Sequence, residues 1–398
     1  MDRLLPFRPA RPRRPLSRAA PGVLRHLRRL TRTFEHEERR IPYIAIYARP
    51  LGPPDALGPG CEPPLEFITA KESGFEGIAC VDDVARAAML ALQVYEETLS
   101  PEALRLARGW LRFVEYMQEP DGRFLNFIVD HSGAKNRRGQ TSYSGGKWWT
   151  GRAMWSLAMA WRVTGDERYL RAFLRGRLAP TSDMKIKAVH ALALMELYQK
   201  TPDDTLCRRV CALCDSIVAS GPGFFRDRIA KADVAMWGYH QLQAVARAGR
   251  LFSRLDYLSA CDETVRNLVE PVVAGGFYHV YPRQQECQCA YDISTLVLGL
   301  EDLYRAMGRP RHRGLALACA AWLDEDNPSG AAVYDPTTGR CSDGVTAGVA
   351  SLNCGAESTI EAGFVELARH RVAPGLRKGI PGDVKESAEA VSAVAAQM

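Results

Sequence analysis

The chain has 398 residues, 46% of them hydrophobic and 25% charged, enough to bury a large core in one big domain or two to three smaller ones. No apolar run approaches the roughly 18 residues needed to cross a bilayer, which excludes an integral membrane segment. The formal net charge of +6 belongs to the start of the chain: residues 1–40 carry 12 Arg against Asp2, Glu35, Glu37 and Glu38, so the remainder is near neutral and has no nucleic-acid footprint.

In chain order, residues 1–40 read as a disordered, Arg/Pro-rich basic tail, with Arg3, Arg8, Arg11, Arg13, Arg14 and Arg18 interleaved with Pro6, Pro9, Pro12 and Pro15. A tail of this kind is dispensable for the fold. It lacks the apolar core of a secretory signal, so a cytoplasmic location is the expectation. The 11 cysteines agree, being odd in number, scattered and often inside apolar helical stretches. Cys207, Cys211 and Cys214 fall at i, i+4 and i+7 of a helical stretch, a buried stripe and not a cluster ligand set. Cys287 and Cys289 have the wrong spacing for zinc. Neither a metal nor a cofactor is called for.

Beyond residue 80 the apolar spacing predicts paired helices. They are Asp82–Thr98 with Pro101–Gln118, Trp148–Val163 with Glu167–Leu178, and Asp183–Lys200 with Asp203–Ser220. Asp233–Arg250 with Arg254–Glu270, Tyr291–Met307 with Arg311–Leu323, and a final Ala356–Arg371 follow. Links within pairs are short. Links between pairs are mostly long and open on a glycine followed by an aromatic, which suits short β-hairpins.

This is an internal repeat of about 50 to 60 residues, and no single hairpin of helices can bury its own apolar face. Five complete pairs plus one helix predict an all-α, closed (α/α)6 toroid over residues 41–372, followed by a C-terminal tail at 373–398. The missing sixth partner comes from the C-terminus or from Pro21–Arg39. In such a ring the first helix of each pair lines the inside. Its leading ends bring Asp82, Asp83, Trp148, Trp149, Asp183, Asp233, Tyr291, Asp292 and Glu357 to one mouth. Aromatic faces and carboxylates on a concave surface suit a sugar, whose C–H faces stack and whose hydroxyls donate.

Four segments carry a resemblance. They are Glu76-Gly77-Ile78-Ala79-Cys80-Val81-Asp82-Asp83-Val84-Ala85-Arg86-Ala87, Asp121-Gly122-Arg123-Phe124-Leu125-Asn126-Phe127, Trp149-Thr150-Gly151-Arg152-Ala153-Met154-Trp155-Ser156-Leu157, and Gly355-Ala356-Glu357-Ser358-Thr359-Ile360-Glu361-Ala362. Together they resemble the six-hairpin (α/α)6-toroid glycosidase superfamily, and more narrowly the toroid domains joined to bacterial glycosyltransferases. The resemblance covers most of residues 70–370 and implies carbohydrate processing, with catalytic carboxylates at inner-helix starts and a glycosyltransferase as a possible partner.

Glycoside hydrolysis needs one carboxylic acid and one carboxylate. Asp82 and Asp83 diverge by about 100° on a helix, so one is expected to cap it and the other, Asp83 by preference, to face the cavity. A helix N-terminus would lower the Asp83 pKa, suiting a base or nucleophile. The acid then comes from Glu357 or Asp292. Trp148 and Trp149 offer a sugar platform, with one of the two in the core. Tyr291, Trp237 and His240 join the binding set, His240 being alternatively a satisfied core histidine. Arg152 and Arg86 offer hydroxyl recognition or internal ion pairing. The alternative function is a toroid that binds or scaffolds glycans without turnover. Terpene cyclisation is excluded, because the doublet lacks the further aspartate of a D-D-x-x-D metal motif.

Overall fold

The computed structural model describes residues 20–52, 60–69, 76–229, 231, 233–283 and 287–373. Residues 1–19 of the expected tail and 374–398 of the expected C-terminal tail lie outside the described residues. Six helices form the inner wall: α2 (Val81–Thr98), α4 (Lys147–Thr164), α6 (Met184–Lys200), α8 (Gln241–Leu251), α10 (Ala290–Met307) and α12 (Ala356–Val372). Each packs on the next, and α12 returns to α2, so the ring closes. Five outer helices back them: α3 (Pro101–Met117), α5 (Glu167–Arg175), α7 (Asp204–Val218), α9 (Leu255–Thr264, continued to Ala274) and α11 (Pro310–Ala320).

The sixth outer partner is α1 (Arg25–Leu30), which packs on α12. The N-terminal segment was thus one of the two expected sources. This corrects the extent of the basic tail: Leu27, Leu30 and His26 are fully buried, and β1 (Thr31–His36) pairs antiparallel with β2 (Arg39–Ile44). Arg25 precedes those buried positions and Arg28 and Arg29 fall between them, so a helix with one apolar stripe is hidden in a high overall charge.

Local chemistry explains the helix ends. Ser100 Oγ accepts the Ala103 N–H at 3.3 Å with Pro101 in the first turn, and Asp183 and Asp203 accept from Lys185 and Leu206. Gly165 and Gly308 close α4 and α10 at φ 74° and 70°. One predicted helix starts late. Residues 234–235 form a strand paired with 280–281, and α8 begins only at Gln241. Gly238 sits between at φ +69°, where a Cβ would meet the Trp148 ring at 2.9 Å, so the chain turns there to bring Trp237 over the ring's mouth.

Candidate functional site

The leading ends of the inner helices share one end of the toroid. The loop at Phe124–Ile128 clips the start of α2: the Val81 N–H donates to the Asn126 carbonyl at 2.8 Å and the Asp82 N–H to Asn126 Oδ1 at 3.3 Å. Cys80 Sγ accepts the Asp83 N–H at 3.4 Å. With those donors satisfied, neither aspartate caps the helix, contrary to the expectation that one of the two would.

Both carboxylates instead turn onto Arg86, one turn further along α2. Arg86 Nη2 donates to Asp82 Oδ2 at 3.0 Å, Asp83 Oδ1 at 2.6 Å and Glu357 Oε2 at 3.0 Å. Its Nη1 donates to Glu361 Oε1 at 2.5 Å. The other Glu361 oxygen accepts from Ser294 Oγ at 2.5 Å. Carboxylate oxygens of Asp82, Asp83 and Glu357 lie within 4.8 Å of one another, and Arg86 Nη2 donates to all three. The divergence expected of adjacent helix residues is overcome because a long cation draws both inward.

Burial decides the electrostatics. Asp83 is pushed up to about 7, because removal from water and the charges of Glu357 and Asp82 outweigh the pull of Arg86. This reverses the direction expected from the helix N-terminus. Burial also raises Glu361 despite Arg86 and lowers Arg152 to about 10. Glu357 is the accessible member, its side chain 32% exposed, with Oε1 accepting from Trp237 Nε1 at 3.0 Å.

Trp237 stacks on Trp148 with ring centroids 5.3 Å apart and 26° between planes, and both rings are half-buried at the mouth. Trp149 is a different case. It is buried against Tyr143, its Nε1 donating to the Phe124 carbonyl at 2.9 Å, and belongs to the core. Tyr291 is fully buried beneath Trp237, edge-on at 4.8 Å. His240 is buried between Gln243 and the Tyr291 hydroxyl, 2.8 and 3.3 Å away, and burial holds it well below its usual pKa. It is a satisfied core histidine. Arg152 is wholly buried 3.9 Å from Asp82 Oδ1, its guanidinium against the faces of Trp148 and Tyr291 at 4.8 and 5.2 Å. None of its nitrogens hydrogen-bonds among the described residues.

Asp292 is 1% exposed and does not open on the mouth. Its Oδ2 accepts the Cys289 N–H at 2.9 Å, capping α10, while Oδ1 accepts from His279 Nδ1 at 2.8 Å. Asp183 caps α6, and Asp233 pairs with Arg283, so neither reaches the carboxylate cluster.

Sequence reasoning missed His279, Lys185 and Asp343. All three are single polar residues in loops or first turns with no motif around them. Lys185 donates to the Trp237 carbonyl at 2.7 Å and steadies that loop. Asp343 Oδ1 accepts the Gly355 N–H at 2.6 Å, at the start of α12. Burial, helped by the charges of Glu357 and Asp83, pushes Asp343 up to about 7. A carboxyl raised in the folded state contributes stability that is complete below its unfolded value of about 4 and lost as pH climbs through 7. Asp343→Asn is therefore expected to gain about 2–4 kcal/mol on the parent between pH 5 and pH 8, read from urea midpoints. His26 and His190, held near 4 by burial, act in the opposite window, losing stability as pH falls below 6.5. They cancel when variant and parent are compared at the same pH.

No family model and no curated protein matches this chain. Solved structures do. A sugar epimerase from a ruminal bacterium aligns over 87% of this chain and 95% of its own at 12% identity, with a TM-score of 0.61. An α-1,6-mannanase of Salegentibacter sp. HEL1_6, in an inactive variant with two consecutive aspartates changed to asparagine and bound to α-1,6-mannotriose, aligns over 89% and 98% at 10% identity, TM-score 0.61. A family 76 glycoside hydrolase from a bovine Bacteroides thetaiotaomicron strain aligns over 88% and 76% at 12% identity, TM-score 0.57. The fold is an (α/α)6 toroid. No helix of the described residues is long and apolar enough to cross a membrane.

Proposed function

We propose that this protein is a carbohydrate-active enzyme that cleaves a glycosidic bond at the mouth of the toroid. The observation that carries this reading is one raised carboxyl, Asp83, within 4.8 Å of a partly exposed carboxylate, Glu357, beneath a stacked tryptophan pair. A sugar lying against Trp148 and Trp237 presents its C–H face to the rings and its ring carbon to Glu357. Asp83, protonated up to about pH 7, donates to the leaving oxygen, while Glu357 attacks the anomeric carbon. Oxygens within 4.8 Å of each other leave no room for the water that the ~6.5–9.5 Å of inverting pairs admits, which favours the configuration-retaining arrangement. Arg86 holds the two carboxyls at that distance.

The toroid neighbours support a carbohydrate ligand, and the mannanase lends weight to the doublet, since its inactive variant changes two consecutive aspartates. The other Asp-Asp pair of this chain, Asp203 and Asp204, is exposed at an outer helix start. A glycan-library screen read by product release tests the proposal. Asp83→Asn and Glu357→Gln are each expected to lower kcat about 10²–10⁴-fold while ligand affinity is kept.

One feature favours a second reading, a toroid that binds glycan beside a glycosyltransferase without turnover. Arg86 already pairs with four carboxylates, Asp82 and Asp83 among them. Binding of a glycan by the unaltered chain with no product released would select that reading and end the hydrolase one.

A further inference from the structure

We propose that His279 is a proton-transfer residue of the mouth and that Asp292 is its positioning residue. The inference rests on the hydrolase reading of the same site. Asp292 itself is sealed, with one oxygen capping α10 and the other on the imidazole. The His279 side chain is 38% exposed, so of the two it is the group a substrate can touch. With Nδ1–H donated to a buried carboxylate, the tautomer is fixed and Nε2 is left as the atom that exchanges a proton.

Four groups face the imidazole. Asp292 from α10 holds its pKa up through the hydrogen bond, and Glu357 from α12 adds to that. Lys185 from α6 opposes them. Cys289 lies within 4.8 Å of both His279 and Asp292. A His-Cys-Asp set of this kind also resembles a metal site. Against that, both Asp292 oxygens already accept hydrogen bonds and the Lys185 ammonium is close by. The His279 carbonyl accepts the Met236 N–H at 2.7 Å, next to Trp237, whose indole donates to Glu357, so the imidazole belongs to the loop that carries the mouth's aromatic pair.

The step assigned to His279 is the second half of the reaction. Water attacks the anomeric carbon of the glycosyl ester on Glu357. The new C–O bond forms as the bond to the Glu357 oxygen breaks, and the water proton passes to Nε2. The imidazolium then returns that proton through solvent to Asp83, which lost its own to the leaving group. Atoms and charge balance, and no co-reactant is needed.

The test uses the full chain with carbon-labelled histidine rings, titrated by NMR, alongside kinetics on whichever glycan is cleaved. The His279 ring is expected to titrate above the free value of about 6.5, and Asp292→Asn to lower it by about one pH unit. Asn keeps an acceptor for the Cys289 N–H, and a thermal melt checks that the helix is intact. His279→Gln is expected to lower kcat about 100-fold with KM within about twofold. In Asp292→Asn the acidic limb of the kcat profile moves down with the ring titration, a shift that a merely structural role would not produce.

Turnover by His279→Gln at the parental rate overturns this proposal and leaves the hydrolase reading standing. An imidazole titration unmoved by Asp292→Asn removes the positioning role. Stoichiometric zinc binding that abolishes the His279 titration makes the cluster a metal centre and likewise overturns the proposal. Failure of the unaltered chain to cleave any glycan ends the hydrolase reading, and this one with it.

Discussion

Arg86→Met is expected to cost about 3–5 kcal/mol of stability at pH 7.5, the largest effect of any single substitution in the site. Methionine keeps the length and apolar volume of the stem but removes the one cation shared by Asp82, Asp83, Glu357 and Glu361. Three of those carboxyls are buried, and Arg152 is too far from most of them to substitute. Against a typical total of about 5–15 kcal/mol, that leaves a marginal protein. The deficit depends on pH in a defined direction. Without Arg86, Asp83 and Glu361, already raised by burial, rise further above their unfolded values, so the stability they contribute is retained at low pH and lost as pH rises. The gap between variant and parent is expected to shrink from pH 8 to pH 5, measured by urea unfolding at each pH. Adding Asp83→Asn and Glu361→Gln to the variant removes two of the stranded charges and restores part of the loss at pH 8. A variant melting with the parent at pH 7.5 would mean that the cluster is neutralised by some other route.

The helical pairing was legible in the sequence because each signal was local. Ser100-Pro101, Asp166, Asp203, Gly165 and Gly308 mark ends by their own side-chain or backbone chemistry. The apolar runs between them have the helical period. The ring itself followed from counting pairs. The stretch 233–240 was misread because its residues tolerate a helix, and only the position of Gly238 against Trp148 and Tyr291 requires the turn. Candidate residues at inner-helix starts were findable, but their partners were not. Arg86 and Glu361 are 275 positions apart, and nothing local says that four carboxyls share one guanidinium. That sharing, with burial, is also what turns the Asp83 shift upward. Trp148 and Trp149 are adjacent, so composition cannot choose between them. The choice is made by the Phe124 carbonyl, which draws Trp149 into the core. Asp292 is an acid in the first turn of its helix, but nothing local says that its two oxygens are taken up by the Cys289 N–H and by His279.

Deleting residues 1–40 is expected to abolish cooperative unfolding, the opposite of what a dispensable basic tail would give. The deletion removes α1 and β1, and with them the sixth outer partner of the ring. Leu27 and Leu30 are fully buried on α1, and Phe34 nearly so on β1. Polar ties cross the same boundary. His26 Nε2 lies 2.9 Å from the Cys354 carbonyl beside the start of α12, and Trp110 Nε1 donates to Thr31 Oγ1 at 3.2 Å. Losing them leaves the Cys354 carbonyl and the Trp110 indole without those partners, as well as exposing apolar surface on α12. Because α12 carries Glu357 and Glu361 and also closes the ring onto α2, loosening its outer face loosens the Arg86 cluster. Point substitutions separate packing from charge: Leu27→Ala and Leu30→Ala are each expected to cost about 2–5 kcal/mol, whereas Arg25→Ala and Arg28→Ala, both exposed, should stay within about 0.5 kcal/mol. Urea midpoints of the four variants decide between a structural segment and a tail. Equal midpoints for the leucine and arginine variants would return the segment to the role its charge suggests.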